Sequence, residues 1–235
     1  MKMNRREIKE ESRRRILSAC VRLFIEKGYK KTTLSDIQKD ADVTPSTFYN
    51  IYRSKSGVLS ELIGFMFDNQ FGIARNITGE EASPVRLYAL ETSIQLSLAE
   101  LSDNLREIYV EAYTDSEMVD LIHSRTAPVL QGIFAPYMAD CAESDFYEYE
   151  IGTAGLMRAY MARPCDQYFT LEKKLGRFLT MSLAVFRVPD GEIRDMTKYI
   201  SGLDIRTIAD NVMQKLFAAL EMRFDFALTD KEAIT

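Results

Sequence analysis

Apolar residues recur three and four positions apart through most of the chain, the repeat of a helix with one buried face, and no stretch shows strand-like alternation between hairpin turns. Leu34, Ile37 and Ala41 keep that spacing in a first short helix. Thr33 can cap it, and Asp36, three residues later, completes a capping box with Asp in the place usually held by Glu. Asp40, Ala41 and Asp42 lead into a tight turn, where an Asp can take the left-handed backbone that a Gly would otherwise supply. A second short helix over 45–51 opens at once: Thr44 suits its N-cap and Pro45 its first helical position, where a missing N–H costs nothing. Ser54 then caps a third helix, with Val58, Leu59, Leu62, Ile63 and Met66 at spacings of three and four.

Helix, tight turn, helix and the start of a third make the stretch from Thr32 to Lys55 a helix-turn-helix. In its second helix Val43, Phe48 and either Ile51 or Tyr52 point one way, which leaves Ser46, Thr47, Tyr49 and Asn50 outward. Short polar side chains at the start of such a helix reach base edges in the major groove, and hydroxyls donate to phosphates. Tyr52, four residues after Phe48, reads as a core aromatic; Tyr49, on the opposite face, reads as a DNA contact. Lys55 opposes the helix macrodipole in a first turn and so suits a bound phosphate.

At these residues the chain resembles the tetracycline-repressor (TetR) family of bacterial transcriptional regulators. The resemblance covers about the first 65 residues, from the helix around Arg13 to Phe24, through Gly28-Tyr29, the Thr32 to Ile37 run and the Val43 to Tyr49 run, to Ser54-Lys55. It implies that Thr33, Thr47, Tyr49 and Lys55 grip phosphates while Thr44, Pro45, Ser46 and Asn50 face the groove. The chain departs from the family pattern at Asp42, where Gly is usual, at Pro45, where Lys is frequent, at Ile51, where an aromatic is common, and at Arg53, where Pro is common.

Charge divides the chain in the same way. The first 55 residues hold 14 Lys and Arg against 7 Asp and Glu, net +7, so the remainder carries −12 of the overall −5. A basic head attracts phosphate without regard to sequence, and an acidic body stays off the duplex. Arg5, Arg6, Arg13, Arg14 and Arg15 form either a phosphate-tracking arm or a basic helix extension, and the interleaved Glu7, Glu10 and Glu11 weaken the arm reading. We place the DNA-binding domain at 1–55 and a helical regulatory and dimerisation domain at 56–235.

No apolar run approaches the ~18 residues of a membrane span, and the start is charged, without the apolar core of a signal peptide. Cys20, Cys141 and Cys165 are odd in number and lack metal-ligand spacing, which suits a reduced, cytoplasmic setting without a membrane partner. His123 is the single histidine, no Gly-rich phosphate loop accompanies it, and it reads as a surface or hydrogen-bonded helix residue. The expectation is a protein that is not an enzyme and needs neither metal nor cofactor. A helical enzyme and an interaction module without DNA are the alternatives; turnover sensitive to Cys or His123 substitution would favour the first, and loss of sequence-specific DNA binding in a pure sample the second.

Beyond the head the pattern predicts helices from Pro84 toward Leu101, Asn104 to Tyr113, Ser116 to Cys141 with a kink at Pro128 or Pro136, Asp145 to Ala162, Thr170 to Val188 ended by Pro189, and Asp204 to about Phe224. Leu175, Leu179, Ser182 and Phe186 form one stripe, and Met213, Phe217 and Phe224 a second seam on the last helix. A helix apolar on two sides needs more than one neighbour. The resemblance assigns these seams to a homodimer through a four-helix bundle; burial inside one monomer core is the competing reading. The resemblance also implies a small-molecule cavity between body helices, with Tyr109, Tyr113, Met157, Arg158, Tyr160, Met161, Phe178 and Met181 as candidates, although a stripe of Met and aromatic residues is also what a plain core looks like. Gly152, Gly155 and Ala159 read as allowing close backbone approach, and Arg158 as a residue that snorkels to the surface or pairs with an acid. The fold class expected is therefore all-α: a three-helix head on a helical body. The function implied is a dimeric TetR-like regulator of double-stranded operator DNA, a repressor released by a partly hydrophobic small-molecule effector.

Overall fold

The computed structural model of the chain describes residues 5–79 and 82–219. Those residues form eleven α-helices and one 3₁₀ turn, with no strand among them. The head holds α1 (Arg5–Lys27), α2 (Leu34–Asp40), α3 (Pro45–Ile51) and the first turns of α4 (Lys55–Thr78). Its core is small: Ile16, Cys20 and Phe24 of α1, Ile37 of α2, Phe48 of α3 and Val58 and Leu59 of α4 are buried against one another. The basic N-terminal run is a helix extension, since α1 begins at Arg5. Arg13 pairs with Glu61 of α4 at 2.9 Å, and Arg14 with Glu11 at 3.2 Å.

The body holds α5 (Pro84–Leu101), α6 (Asp103–Ala112), α7 (Ser116–Phe134), the 3₁₀ turn Ala135–Tyr137, α8 (Glu143–Ala162), α9 (Leu171–Val185), α10 (Asp190–Ser201) and α11 (Ile205–Ala219). α5 is the axis of this unit, buried at every position from Tyr88 to Ala99. Pro128 lies inside α7, and the stretch around Pro136 is the 3₁₀ turn. The periodicity predicts no helix over 189–203. Pro189 does close the preceding segment, but it also starts α10: Asp190 and Glu192 stand in the first turn, where acids complement the dipole, and Gly202 caps the end.

The stripe expected at a dimer interface lies inside the monomer. Leu175, Leu179, Ser182 and Phe186 are all buried, and Phe186 stacks on Phe134 with centroids 4.2 Å apart. Met213 is buried as well. Phe224 and the side chain of Phe217 lie outside the described residues. α9 keeps Met181 and Val185 exposed instead, and α8 adds Tyr147 and Ile151. Gly152 and Gly155 of α8 meet no neighbour and so open onto the same outer surface instead of allowing a close approach within the chain.

The head is clamped onto the body by α6. Gly28 ends α1 with φ +88, a left-handed turn that favours glycine, and a Cβ there would displace the Glu107 carboxylate of α6, which lies 2.4 Å from that position. The amide of Asn104 donates to the Ile25 carbonyl at 2.6 Å, and Glu107 accepts from the Lys30 backbone N–H at 3.1 Å. These bonds satisfy backbone groups left open at the end of a helix.

Candidate nucleic-acid interface and body cavities

The turn between α2 and α3 is built as its residue types require. The Thr33 hydroxyl accepts from the Asp36 backbone N–H at 3.1 Å, and Asp36 accepts from the Thr33 N–H at 3.0 Å, the reciprocal capping box. That backbone bond, with help from the Thr33 hydroxyl and Lys27, holds the Asp36 carboxyl down at about 2. Asp42 takes the left-handed conformation, φ 49, and Arg15 of α1 donates to its carbonyl at 3.1 Å. Thr44 caps α3 and Pro45 is its first residue. Phe48 is fully buried, which fixes the rotation of α3.

That rotation puts Thr44, Pro45, Ser46, Tyr49 and Asn50 on the exposed side, while Thr47 is half-buried. The Thr44 hydroxyl lies 3.0 Å from that of Ser46 and 2.9 Å from that of Thr47, a hydroxyl cluster at the amino end of the helix. Tyr49 is 51% exposed and Tyr52 is buried, the division their spacing predicts. Lys55 has a different task from the one expected. Its ammonium donates to the carbonyls of Tyr29 at 2.7 Å and Thr32 at 3.0 Å, and sits 4.1 Å from the Tyr29 ring centroid. Its partial burial lowers its pKa. Lys55 thus ties the loop after α1 to the start of α4, a contact that follows from tertiary placement and leaves no trace in local spacing.

Two cavities share a wall in the middle of the molecule. One is an apolar chamber with a cavity volume of about 70 Å³, lined by Phe24 of α1, Leu62 and Met66 of α4, Leu105 and Tyr109 of α6, Ile122 of α7 and Met213 of α11. The other, about 40 Å³, lies deeper between α5, α7, α8 and α9 and is lined by Tyr88, Glu91, Thr126, Glu150, Met157 and Phe178 among others. Gln95 and Tyr113 line both. The Tyr113 hydroxyl donates to Gln95 at 3.2 Å, and the Gln95 amide donates in turn to Glu91.

Of the residues expected in a ligand cavity, Tyr109, Tyr113, Met157 and Phe178 line one. Met161 is packed in the core. Met181 is exposed and accepts a 3.5 Å contact from the Tyr160 hydroxyl, so this pair lies on the outer surface. Arg158 is exposed too and donates to the Thr114 hydroxyl at 2.8 Å. His123 lies on a helix, α7, as expected, but is buried there, edge-on to Tyr147 at 5.8 Å, so the surface half of the expectation does not hold; burial lowers its pKa. The sequence reading missed Glu91 and Glu150. Burial raises their carboxyl pKa values to about 7 and about 8. The available signal was Glu91 itself, the one charge between Leu87 and Ala99.

Among the described residues no group of His, Cys, Asp and Glu is placed to hold a metal, and no helix is long and apolar enough to cross a membrane. An exposed hydroxyl-bearing helix, set by a tight turn on a small three-helix head with net positive charge, defines a helix-turn-helix DNA-binding module. Residues 16–62 match the family of bacterial regulatory proteins, tetR family, and the head is accordingly a TetR-type DNA-binding domain. Two proteins of Bacillus subtilis (strain 168) are similar over part of the chain. The uncharacterized HTH-type transcriptional regulator YuxN is 26% identical over 85 residues, 36% of this chain and 29% of that protein. The uncharacterized HTH-type transcriptional regulator YvkB is 30% identical over 67 residues, 28% of this chain and 35% of that one. The match therefore spans about a third of the length of these relatives. A crystal structure of a gamma-butyrolactone receptor (ArpA like protein) superposes with a TM-score of 0.43 at 14% identity, covering 88% of this chain and 98% of that one.

Proposed function

We propose that the chain is a TetR-type transcriptional regulator, a cytoplasmic homodimer that represses from an operator and leaves it when a small molecule enters the body. It acts by binding and not by catalysis. The head, residues 1–55, reads DNA: Thr44, Pro45, Ser46 and Asn50 face the major groove, while Thr47 and Tyr49 donate to phosphates and Thr33, whose hydroxyl donates to Asp36, serves as the cap of α2. The body, 56–235, receives the effector and the second subunit.

The observation that carries this reading is the apolar chamber, because its walls come from both units: α1 of the head, α4 leading out of it, and α5, α6, α7 and α11 of the body. A ligand that wedges these walls apart displaces α1 and α4 relative to the body. With two heads reading half-sites about one duplex turn apart, a modest displacement breaks register. The ligand must favour the DNA-free geometry, since equal affinity for both states shifts nothing. For the second subunit, the exposed Tyr147, Ile151, Met181 and Val185 on α8 and α9, beside Gly152 and Gly155, form an apolar face with room for a close partner.

Footprinting the protein on DNA near its own gene tests the reading. A protected site with two-fold symmetry, lost when a chamber-binding compound is added, is expected. Absence of any sequence-specific protection, with the protein dimeric and folded, would refute it.

A further inference from the structure

Glu91 and Glu150 are 3% and 4% exposed, on α5 and α8, and both line the deeper pocket. Among the described residues neither meets a cation: Glu91 accepts from Gln95, and Glu150 from the Thr153 hydroxyl at 3.1 Å. The same body shows how the fold treats a buried carboxylate that serves structure. Glu100, further along α5, receives the fully buried Lys174 at 2.5 Å and Arg106 at 3.1 Å. Burying an ionised carboxylate without a partner costs several kcal/mol, so these two carboxyls favour their protonated form until a cation beside them takes up the charge.

A second observation points the same way. The Tyr109 hydroxyl is buried, 7% exposed for the residue, has no hydrogen-bond partner, and belongs to the wall of the adjoining chamber, within the field of Glu91. The half-buried Thr126 hydroxyl, on the pocket wall, is also without a partner. Buried polar groups are normally satisfied, so both hydroxyls are free to bond to a molecule that enters the space they face. Tyr88, Tyr113 and Phe178 add aromatic rings to the same walls, and a ring face attracts a cation.

We propose that the pocket bounded by Glu91, Gln95, Tyr113 and Glu150 is the head-group site for a compact organic cation, an amine or amidinium whose apolar part extends past Gln95 and Tyr113 into the chamber. This rests on the effector reading above and assigns its chemical class. The cation takes the place of the protons that the two carboxyls hold, the polar network around Gln95 orients it, and the apolar part reaches the head helices through which DNA binding is altered.

The test uses three probes of one shape and different charge: benzamidine, benzamide and benzoate, titrated calorimetrically into the full chain, with operator affinity measured in parallel. Benzamidine is expected to bind at least about tenfold more tightly than benzamide, with no benzoate binding. The double variant Glu91→Gln, Glu150→Gln, with unchanged helical circular dichroism, is expected to bring benzamidine down to the level of benzamide. Equal affinities for benzamidine and benzamide, preference for benzoate, or no binding of any probe at millimolar concentration would overturn the assignment. Benzamidine binding that spares operator affinity supports the cation site and counts instead against release of DNA by the effector.

Discussion

Stability should fall as the solution is made alkaline, and the two buried carboxyls set where. Glu91 is raised to about 7 and Glu150 to about 8 from an ordinary value of 4.5, chiefly by burial. The folded state therefore holds two protons that the unfolded chain has already released, and the stability they represent is complete below pH 4.5 and lost as pH rises through the folded values. The groups that face them are Tyr88 and Gln95 of α5, Tyr109 of α6 with Tyr113 at its end, Thr126 of α7 and Thr153 of α8. None is cationic. Integrating proton release between about pH 6.5 and pH 8 gives a loss of about 2 kcal/mol, about two-thirds of it from Glu150. This interval lies above the range of His123, whose lowered pKa acts in the opposite sense below 6.5, and well above that of Asp36 at about 2. The assay is urea unfolding followed by circular dichroism at a series of pH values. Glu150→Gln should flatten most of the slope and the double variant with Glu91→Gln nearly all of it. A wild-type protein whose stability is level across the interval, or a double variant that keeps the wild-type slope, would refute the argument.

Lys55→Met should cost about 2 kcal/mol, because the Tyr29 and Thr32 carbonyls lose a charged donor, and should leave the salt dependence of DNA binding unchanged; a salt slope lower by about one would return Lys55 to the phosphate interface. Ile151→Glu or Met181→Glu should give a folded monomer in sedimentation, whereas Phe186→Glu, at a fully buried position, should unfold the chain; dimers that survive both exposed-face changes would place the interface elsewhere. Asn104→Ala removes the bond to Ile25 at the joint of head and body, so operator affinity should persist while its response to a chamber ligand weakens by about 1 kcal/mol of coupling; an unaltered response would remove α6 from the path.

The head was legible because its determinants are local. Thr33, Asp36, Thr44, Pro45 and Ser54 act on backbone groups within three residues, and the structure uses each where its spacing puts it. Asp42 adopts its left-handed turn for the same reason. The Lys55 ammonium escaped because its partners lie 23 and 26 residues away, set by how α1 ends. α10 escaped because Pro189 ends one segment and starts the next, and a proline carries both signals. Periodicity on α9 found the stripe of Leu175, Leu179, Ser182 and Phe186 but was silent on whether a partner or the same monomer covers it, since both bury the same atoms.

The cavity residues expose a bias in reading helices by their apolar faces. Met157, Tyr113 and Phe178 entered as candidates because they are apolar or aromatic, yet the pocket they line is distinguished by Glu91 and Glu150. In α5 the residues from Tyr88 to Ala99 are buried all round, so a carboxylate there cannot turn toward water as it would on an amphipathic helix. It must be paired, protonated or matched by something that comes and goes. Glu100 follows the first course, fixing α5 to α6 and α9 through Arg106 and Lys174. Glu91 sits nine residues earlier on the same helix, facing space in place of a lysine, and Gln95 between them connects that space to the chamber under the head. One helix thereby holds a permanent ion pair at one end and, toward the other, an uncompensated carboxylate, which is the arrangement a ligand can act upon: a structural charge needs its partner at all times, whereas a sensing charge has to be able to do without one.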